Sequence, residues 1–139
     1  EAEFKIAQGA AIASSTSYAN AGGTGDRRAS ITMTATLALA SGTLTALIDG
    51  ITNASAIGLT AGQTDKEIKF DLGRARVIDE FRWYAGGLNN AQGAWRVIGS
   101  VDDAAYEQIG TPFELKGTNP FVAVPFNQIG GNVKVGIQF

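Results

Sequence analysis

The chain has 139 residues, of which 45% are hydrophobic and 17% charged, and its formal net charge is −2. This length and composition predict one globular domain with a single core, while the scattered, near-neutral charge argues against nucleic acid and an anionic membrane surface as partners, because both need a basic patch. The chain contains no histidine and no cysteine, which excludes disulfides, thiolate nucleophiles, the usual zinc sites and a Ser-His-Asp triad.

The first four residues read E-A-E-F. They resemble the remnant of a trimmed yeast secretion leader followed by a restriction site. We therefore expect residues 1–4 to be an expression scar that lies outside the fold, and residues 5–139 to form the single domain. No apolar run approaches the ~18 residues of a membrane helix, so membrane insertion is not expected.

The N-terminal third predicts strands separated by a polar loop. Residues 6–18 are small and weakly apolar, which favours an extended first strand over a helix. Residues 20–28 form a glycine-rich loop that ends in Arg27 and Arg28. These arginines are interpreted either as solvated surface residues or as the rim of a binding site. Residues 29–39 alternate apolar residues with threonine, which predicts one half-buried strand.

The middle of the chain carries two strands joined by an Asp-Leu-Gly turn at residues 71–73. The first strand alternates apolar and charged residues over 67–72, which predicts one buried face. In the second, Phe81 and Trp83 point inward together with Ile78 only if one residue near Asp79 and Glu80 forms a bulge. Trp95 is likewise predicted to be a core residue in the strand over 94–99.

The last third predicts a short strand pair over 106–115 and two further strands over 121–126 and 132–139. The chain thus reads as about eight short strands with glycine and Asn/Asp turns and with no convincing helix. This pattern is typical of an all-β antiparallel β-sandwich or jelly roll.

Three segments in this order resemble the discoidin or coagulation-factor type C family, which is also called galactose-binding-domain-like. They are I-A-Q-G-A-A-I-A-S-S-T-S-Y (6–18), I-D-G with E-I-K-F-D-L-G-R-A-R-V-I-D-E-F-R-W-Y (48–50 and 67–84), and W-R-V-I-G-S-V-D-D-A-A-Y-E-Q-I-G (95–110). The sequences of these segments look most like bacterial or phage-associated versions of the family. The resemblance implies a discoidin-like jelly roll of about eight strands whose loops at one end bind a ligand, most often a carbohydrate.

The ligand site that the resemblance implies combines an aromatic platform with planar amides and arginine. The residues predicted to line it are Arg27, Arg28, Tyr84, Asn89, Asn90 and Gln92. The resemblance also implies a structural calcium, for which Asp49 and Asn53 are the candidate ligands. Gly136 stands where related members carry a glutamate. An ordinary Asp-Gly turn is the alternative interpretation of Asp49, and Asn53 also begins an N-glycosylation sequon.

We expect a non-catalytic carbohydrate-binding module of an extracellular, cell-surface or virion protein, whose partner is a glycan or polysaccharide. Homo-oligomerisation is left open. The alternative is a structural or assembly module of a phage-like particle that binds no sugar. Catalysis is not expected. The adjacent carboxylates Asp79-Glu80 and Asp102-Asp103 either point to opposite faces of a strand or lie in a turn, where they are solvated.

Overall fold

The computed structural model describes residues 2–7, 15–17, 31–49, 57–60, 66–84, 94–115 and 121–138. A 3-10 helix spans Leu44–Ile48. The strands, which pair antiparallel throughout these ranges, are β1 (Ala2–Ala7), β2 (Ser15–Ser17), β3 (Thr32–Ala35), β4 (Leu39–Gly42), β5 (Ile57–Leu59), β6 (Lys66–Tyr84), β7 (Ala94–Ser100), β8 (Glu107–Glu114) and β9 (Phe121–Gln138). These ranges contain no helix with the length and apolar character that crossing a membrane requires.

The long strand β6 folds back on itself and so creates the two layers of a sandwich. The rings of Phe70 and Phe81 lie 6.3 Å apart, whereas a straight strand would separate two residues eleven positions apart by about 36 Å. The bend falls at the predicted Asp-Leu-Gly turn. Gly73 has a φ of 81°, and its N–H donates a 2.8 Å hydrogen bond to the carboxylate of Asp71. The turn chemistry in the sequence therefore sets the corner between the layers.

Each layer is built from half of β6 and half of β9. In the first layer, residues 66–71 of β6 pair with β3 on one side and with residues 132–137 of β9 on the other, and β7 and β8 follow β9. In the second layer, residues 76–84 of β6 pair with residues 121–130 of β9, and with β1, which in turn pairs with β2. The ladder between β6 and β9 is irregular at the corner, between Asp71 and Arg76.

An aromatic cluster fills the space between the layers. Phe81 and Trp83 stack at 6.2 Å, and Trp83 packs against Phe70 and Trp95 at 6.5 and 5.4 Å. The predicted bulge is confirmed, because the register of β6 against β9 shifts between Ile78 and Glu80. Both tryptophans are buried, at 4% and 1% exposure. This confirms that they belong to the core and are not available to stack on a ligand.

The first residues of the chain belong to this core. Ala2 and Phe4 are fully buried and lie on β1, where they pair with Trp83 and Phe81 of β6. The ring of Phe4 lies 5.0 Å from that of Phe81 and 5.3 Å from that of Phe70. This differs from the expectation that residues 1–4 lie outside the fold. Their origin as an expression scar stays a prediction, but whatever that origin, Phe4 packs between the two layers.

Three predicted elements differ from the structure in their bounds. The strand expected over 29–39 is two strands, because the hydroxyl of Thr36 accepts the Glu67 N–H at 2.9 Å and so ends the β3–β6 ladder. The chain then enters β4, which pairs with β5 in a separate two-stranded sheet. The pair expected over 106–115 is the single strand β8, and the two C-terminal strands are one bent strand, β9.

Candidate functional site

Several chain connections meet at one end of the sandwich, which we call the loop end. The pairing register places there Lys66, Tyr84, Ala94, Glu114, Phe121 and Gln138. Segment 85–93 therefore connects two of these residues, Tyr84 and Ala94, while segments 61–65 and 116–120 lead into Lys66 and Phe121 at this end. This clustering of connections on a rigid scaffold is where a β-sandwich usually carries its binding residues.

Tyr84 is held in place at the loop end by its neighbours on β6. Glu80, Arg82 and Tyr84 alternate with the buried Phe81 and Trp83 and are each half-buried. The Arg82 Nε–H donates a 2.5 Å hydrogen bond to Glu80, and hydrogen bonds to Glu80 and then to Tyr84 raise the pKa of the Arg82 guanidinium. The Tyr84 phenol thus interacts with a charged pair, which restricts its side chain before any ligand binds. Less conformational entropy is then lost on binding.

The structure describes one of the six residues predicted to bind ligand. Tyr84 lies at the loop end, as the site requires. Arg27, Arg28, Asn89, Asn90 and Gln92 lie outside the described residues, so their placement stays a prediction. Asn89, Asn90 and Gln92 belong to the 85–93 segment that begins after Tyr84 and finishes at Ala94. The direction of β2 leads the chain toward the loop end, but β3 starts at the corner beside Asp71. The register alone therefore does not bring Arg27 and Arg28 to Tyr84.

The described residues alone do not fit the implied calcium. Asp49 is exposed and follows the 3-10 helix as its C-terminal cap, and Asn53 lies outside the described residues. Gly136 lies near the C-terminal end of β9, paired with Glu67 of β6 and Arg96 of β7, and an added Cβ there would come within 3.1 Å of the Lys66 carbonyl oxygen. Nowhere in the described ranges do three Asp, Glu, His or Cys side chains group around a metal position, and calcium needs six to eight oxygens. Calcium binding thus stays a prediction.

A charged group that the sequence analysis did not single out lies on the outer face of the first layer. We call it the outer-face cluster: Glu67 and Lys69 on β6, Lys134 on β9, and Asp103 and Tyr106 before β8. Lys69 pairs with Asp103 at 2.8 Å and Lys134 with Glu67 at 2.7 Å. The Lys134 ammonium also lies 4.2 Å from the centre of the Tyr106 ring. The alternation over 67–72 predicts the outward β6 residues, but it carries no signal for the distant Asp103 and Tyr106.

The loop over 101–106 is bent back over the sheet to complete this cluster. The backbone of Asp103 has a φ of 61°, the left-handed region that residues other than glycine rarely adopt. The side chain of Asp103 accepts hydrogen bonds from Lys69 and from the hydroxyl of Tyr106. The bond from Lys69 is the main reason that the pKa of the Asp103 carboxyl is lowered. Burial, and then the hydrogen bond to Asp103, raise the pKa of the Tyr106 phenol.

Neither carboxylate of the Asp102-Asp103 pair has the character of a general acid. The Asp102 carboxylate accepts hydrogen bonds from the N–H groups of Ala104 and Ala105 and from the Ser100 hydroxyl. These bonds lower the pKa of Asp102, and Lys69 lowers that of Asp103. A glycosidase acid needs a raised pKa so that it carries a proton near neutral pH. The geometry therefore assigns these carboxylates to the structure of the loop.

The lowered pKa of Asp103 leads to a pH-dependent prediction. A carboxyl whose folded-state pKa is lowered stabilises the fold above its unfolded value of about 3.9, and this contribution is lost as the pH falls through the folded-state pKa. We expect Asp103→Asn, which tolerates a positive φ, to be less stable than the wild type at pH 7 and to match it in strong acid. Urea unfolding at a series of pH values measures this. A stability difference that does not change with pH would contradict it.

The architecture defines the class of fold. Two antiparallel layers that share the bent strands β6 and β9 form a galactose-binding-like, discoidin-type β-sandwich, and the fold predicted from the sequence is confirmed. No family model and no curated protein matches the chain. Solved structures do match, and those described below are family 32 carbohydrate-binding modules.

Three of these structures show the extent of the likeness. The module CpGH89CBM32-5 from Clostridium perfringens, solved with GalNAc-β-1,3-galactose, aligns with 81% of this chain and 87% of its own at a TM-score of 0.66 and 18% identity. The module of C. perfringens NanJ, solved with galactose, aligns with 81% of this chain and 85% of its own at a TM-score of 0.65 and 14% identity. The module GH31 CBM32-2, solved with GalNAc, aligns with 78% of this chain and 87% of its own at a TM-score of 0.58 and 14% identity. At these identities the likeness establishes the fold alone.

Proposed function

We propose that this chain is a non-catalytic carbohydrate-binding module. The observation that carries the proposal is the fold likeness, over 81% of the chain, to modules solved with galactose and with GalNAc-β-1,3-galactose. The loop end supports it, because a half-buried aromatic residue is held there by a charged pair, next to a segment rich in amides. We further propose that the module attaches an extracellular, cell-surface or virion protein to its glycan.

The proposed binding mode uses a small polar concavity with one aromatic wall. Tyr84 supplies a ring for the apolar face of a sugar, and the amides and arginines bind its hydroxyl groups. The residues that we assign to this site are Arg27, Arg28, Tyr84, Asn89, Asn90 and Gln92. The link from Tyr84 through Arg82 to Glu80 supports the proposal, because a side chain that is already ordered loses little entropy when a ligand binds.

Calorimetric titration with galactose, GalNAc and GalNAc-β-1,3-galactose tests the function. We expect weak, saturable binding to at least one of these sugars. Tyr84→Ala, which removes the ring, should weaken binding about tenfold or more. Tyr84→Phe, which keeps the ring and loses only the hydroxyl that contacts Arg82, should weaken it less.

Two results would count against this proposal. Absence of binding to all three sugars by the folded wild type would contradict it. If light scattering then showed a stable higher assembly, the structural or assembly role would replace it. Equal binding by Tyr84→Ala and the wild type would leave a carbohydrate-binding module but would remove Tyr84 from the site.

A further inference from the structure

A concavity lies on the outer face of the first layer, on a different surface from the loop end. It has a volume of about 190 Å³ and is lined by Thr34, Ala35, Thr36, Glu67, Lys69 and Lys134. This volume is below the roughly 300 Å³ at which pockets for drug-sized ligands begin. It suits a group no larger than a single sugar ring.

The walls of this concavity place hydrogen-bond donors next to acceptors. The Lys134 ammonium lies 2.7 Å from a carboxylate oxygen of Glu67, and the Lys69 ammonium is paired with Asp103, which is not itself a lining residue. Thr34 is exposed on β3, and its hydroxyl has no hydrogen-bond partner within the described residues. A sugar hydroxyl both donates and accepts, so two adjacent hydroxyls match an ammonium beside a carboxylate.

The charge of the cluster selects a neutral ligand over an ionic one. Each lysine is already paired with a carboxylate, and Asp71 adds a further negative charge near Lys69, so a charged ligand would have to compete with one of these partly exposed ion pairs. A neutral polyol can join the network without breaking either ion pair.

The arrangement of the cluster is unfavourable in two separate respects. Lys69 and Lys134 are direct cross-strand partners, and like charges in that position destabilise a sheet. Asp103 reaches the cluster from a left-handed backbone conformation, which aspartate tolerates better than most residues but which still clusters at functional sites. A solvated sheet face needs neither feature. The lysine pair, the strained aspartate and the concavity all fall on the same surface.

We propose that this concavity is a second carbohydrate-contact site, which takes one neutral sugar residue through a pair of adjacent hydroxyls. Lys134 and Glu67 bind the two hydroxyls, Thr34 contacts one of them from β3, and Lys69, held by Asp103, closes the other wall. The site adds a contact to the proposed function, and it does not depend on binding at the loop end.

Backbone NMR titration separates the two sites. The probes are galactose, GalNAc and GalNAc-β-1,3-galactose, added separately to the wild type. We expect the amide signals of Thr34, Lys69 and Lys134 to shift in saturable fashion with at least one sugar, with a dissociation constant distinct from that of the signals around Tyr84.

Two threonines on β3 provide a matched pair of variants. Thr34→Val loses the hydroxyl that lines the concavity and should weaken binding on the outer face by about 3- to 10-fold, the effect of one neutral hydrogen bond. Thr32→Val makes the same change at an exposed residue that pairs with Asp71 and does not line the concavity, and it should leave the affinity unchanged. Lys134→Met, which keeps an aliphatic side chain but removes the ammonium, should weaken outer-face binding about tenfold or more.

The outcomes distinguish this proposal from the proposed function. If the signals near Tyr84 shift and those of the outer face do not, this proposal is overturned and the loop-end function stands. If Thr34→Val and Thr32→Val have the same effect, the concavity is not the contact. If no signal shifts with any of the three sugars, both proposals fail.

Discussion

Phe4→Ala should destabilise the protein by about 3–5 kcal/mol, the usual cost of removing a fully buried aromatic side chain. Phe4 is completely buried and contacts the rings of Phe70 and Phe81. Its loss leaves a cavity between the two layers, because β1 is held by its antiparallel pairing with β6 and cannot move inward without breaking that pairing. Urea or thermal unfolding of the wild type and the variant measures the change.

Val101→Ala is the control, because Val101 is 56% exposed and such a truncation normally changes stability by less than about 0.5 kcal/mol. A chain that starts at Lys5 should be destabilised at least as much as Phe4→Ala, since it loses both Ala2 and Phe4. Equal stability of the wild type and Phe4→Ala would show that the first strand is not part of the core. It would also restore the expectation that residues 1–4 lie outside the fold.

Gly73→Val should destabilise the protein by about 2–3 kcal/mol. Gly73 has a φ of 81°, and a β-branched residue adopts a positive φ only at considerable cost. Gly73 is exposed, so the added side chain meets solvent and the effect is one of backbone conformation. Because the corner brings Phe70 against Phe81, a change in its geometry also disturbs the packing between the layers.

Gly73→Asn separates conformation from side-chain size. Asparagine tolerates positive φ much better than valine, so Gly73→Asn should lose less than half as much stability as Gly73→Val under the same unfolding conditions. If the two variants were equally destabilised, the cost would come from something other than the left-handed backbone, and the corner would not depend on glycine in the way described.

The sequence predicted much of the scaffold and little of the binding surface. Alternation over 67–72 and the bulge near Glu80 both follow from residues within a single strand, as does the inward position of Trp83. The alternation of apolar and polar residues along a strand is a local property, and burial of one face of the sheet is enough to specify it. The division of the threonine-rich segment at Thr36 was not predicted, because it depends on a hydrogen bond to Glu67, thirty-one positions away.

The candidate sites also differ in whether local sequence could predict them. Tyr84 could be proposed from sequence, because an aromatic residue that ends a strand before an amide-rich loop is a local pattern. The outer-face cluster could not, because Asp103 and Tyr106 meet Lys69 and Lys134 only after the loop over 101–106 turns back across the sheet. Nothing in the local alternation of these residues indicates that contact.

By itself the sequence determined an all-β antiparallel sandwich, since strand periodicity and turn residues are local properties. Its discoidin type was an expectation from the resemblance of three segments. Only the tertiary structure decided that Phe4 belongs to the core and that β6 supplies both layers. It also decided that Glu67, Lys69 and Lys134 line one concavity with Thr34. Each of these depends on contacts between segments distant in sequence, which are made when burial of the aromatic cluster offsets the entropy of closing the chain.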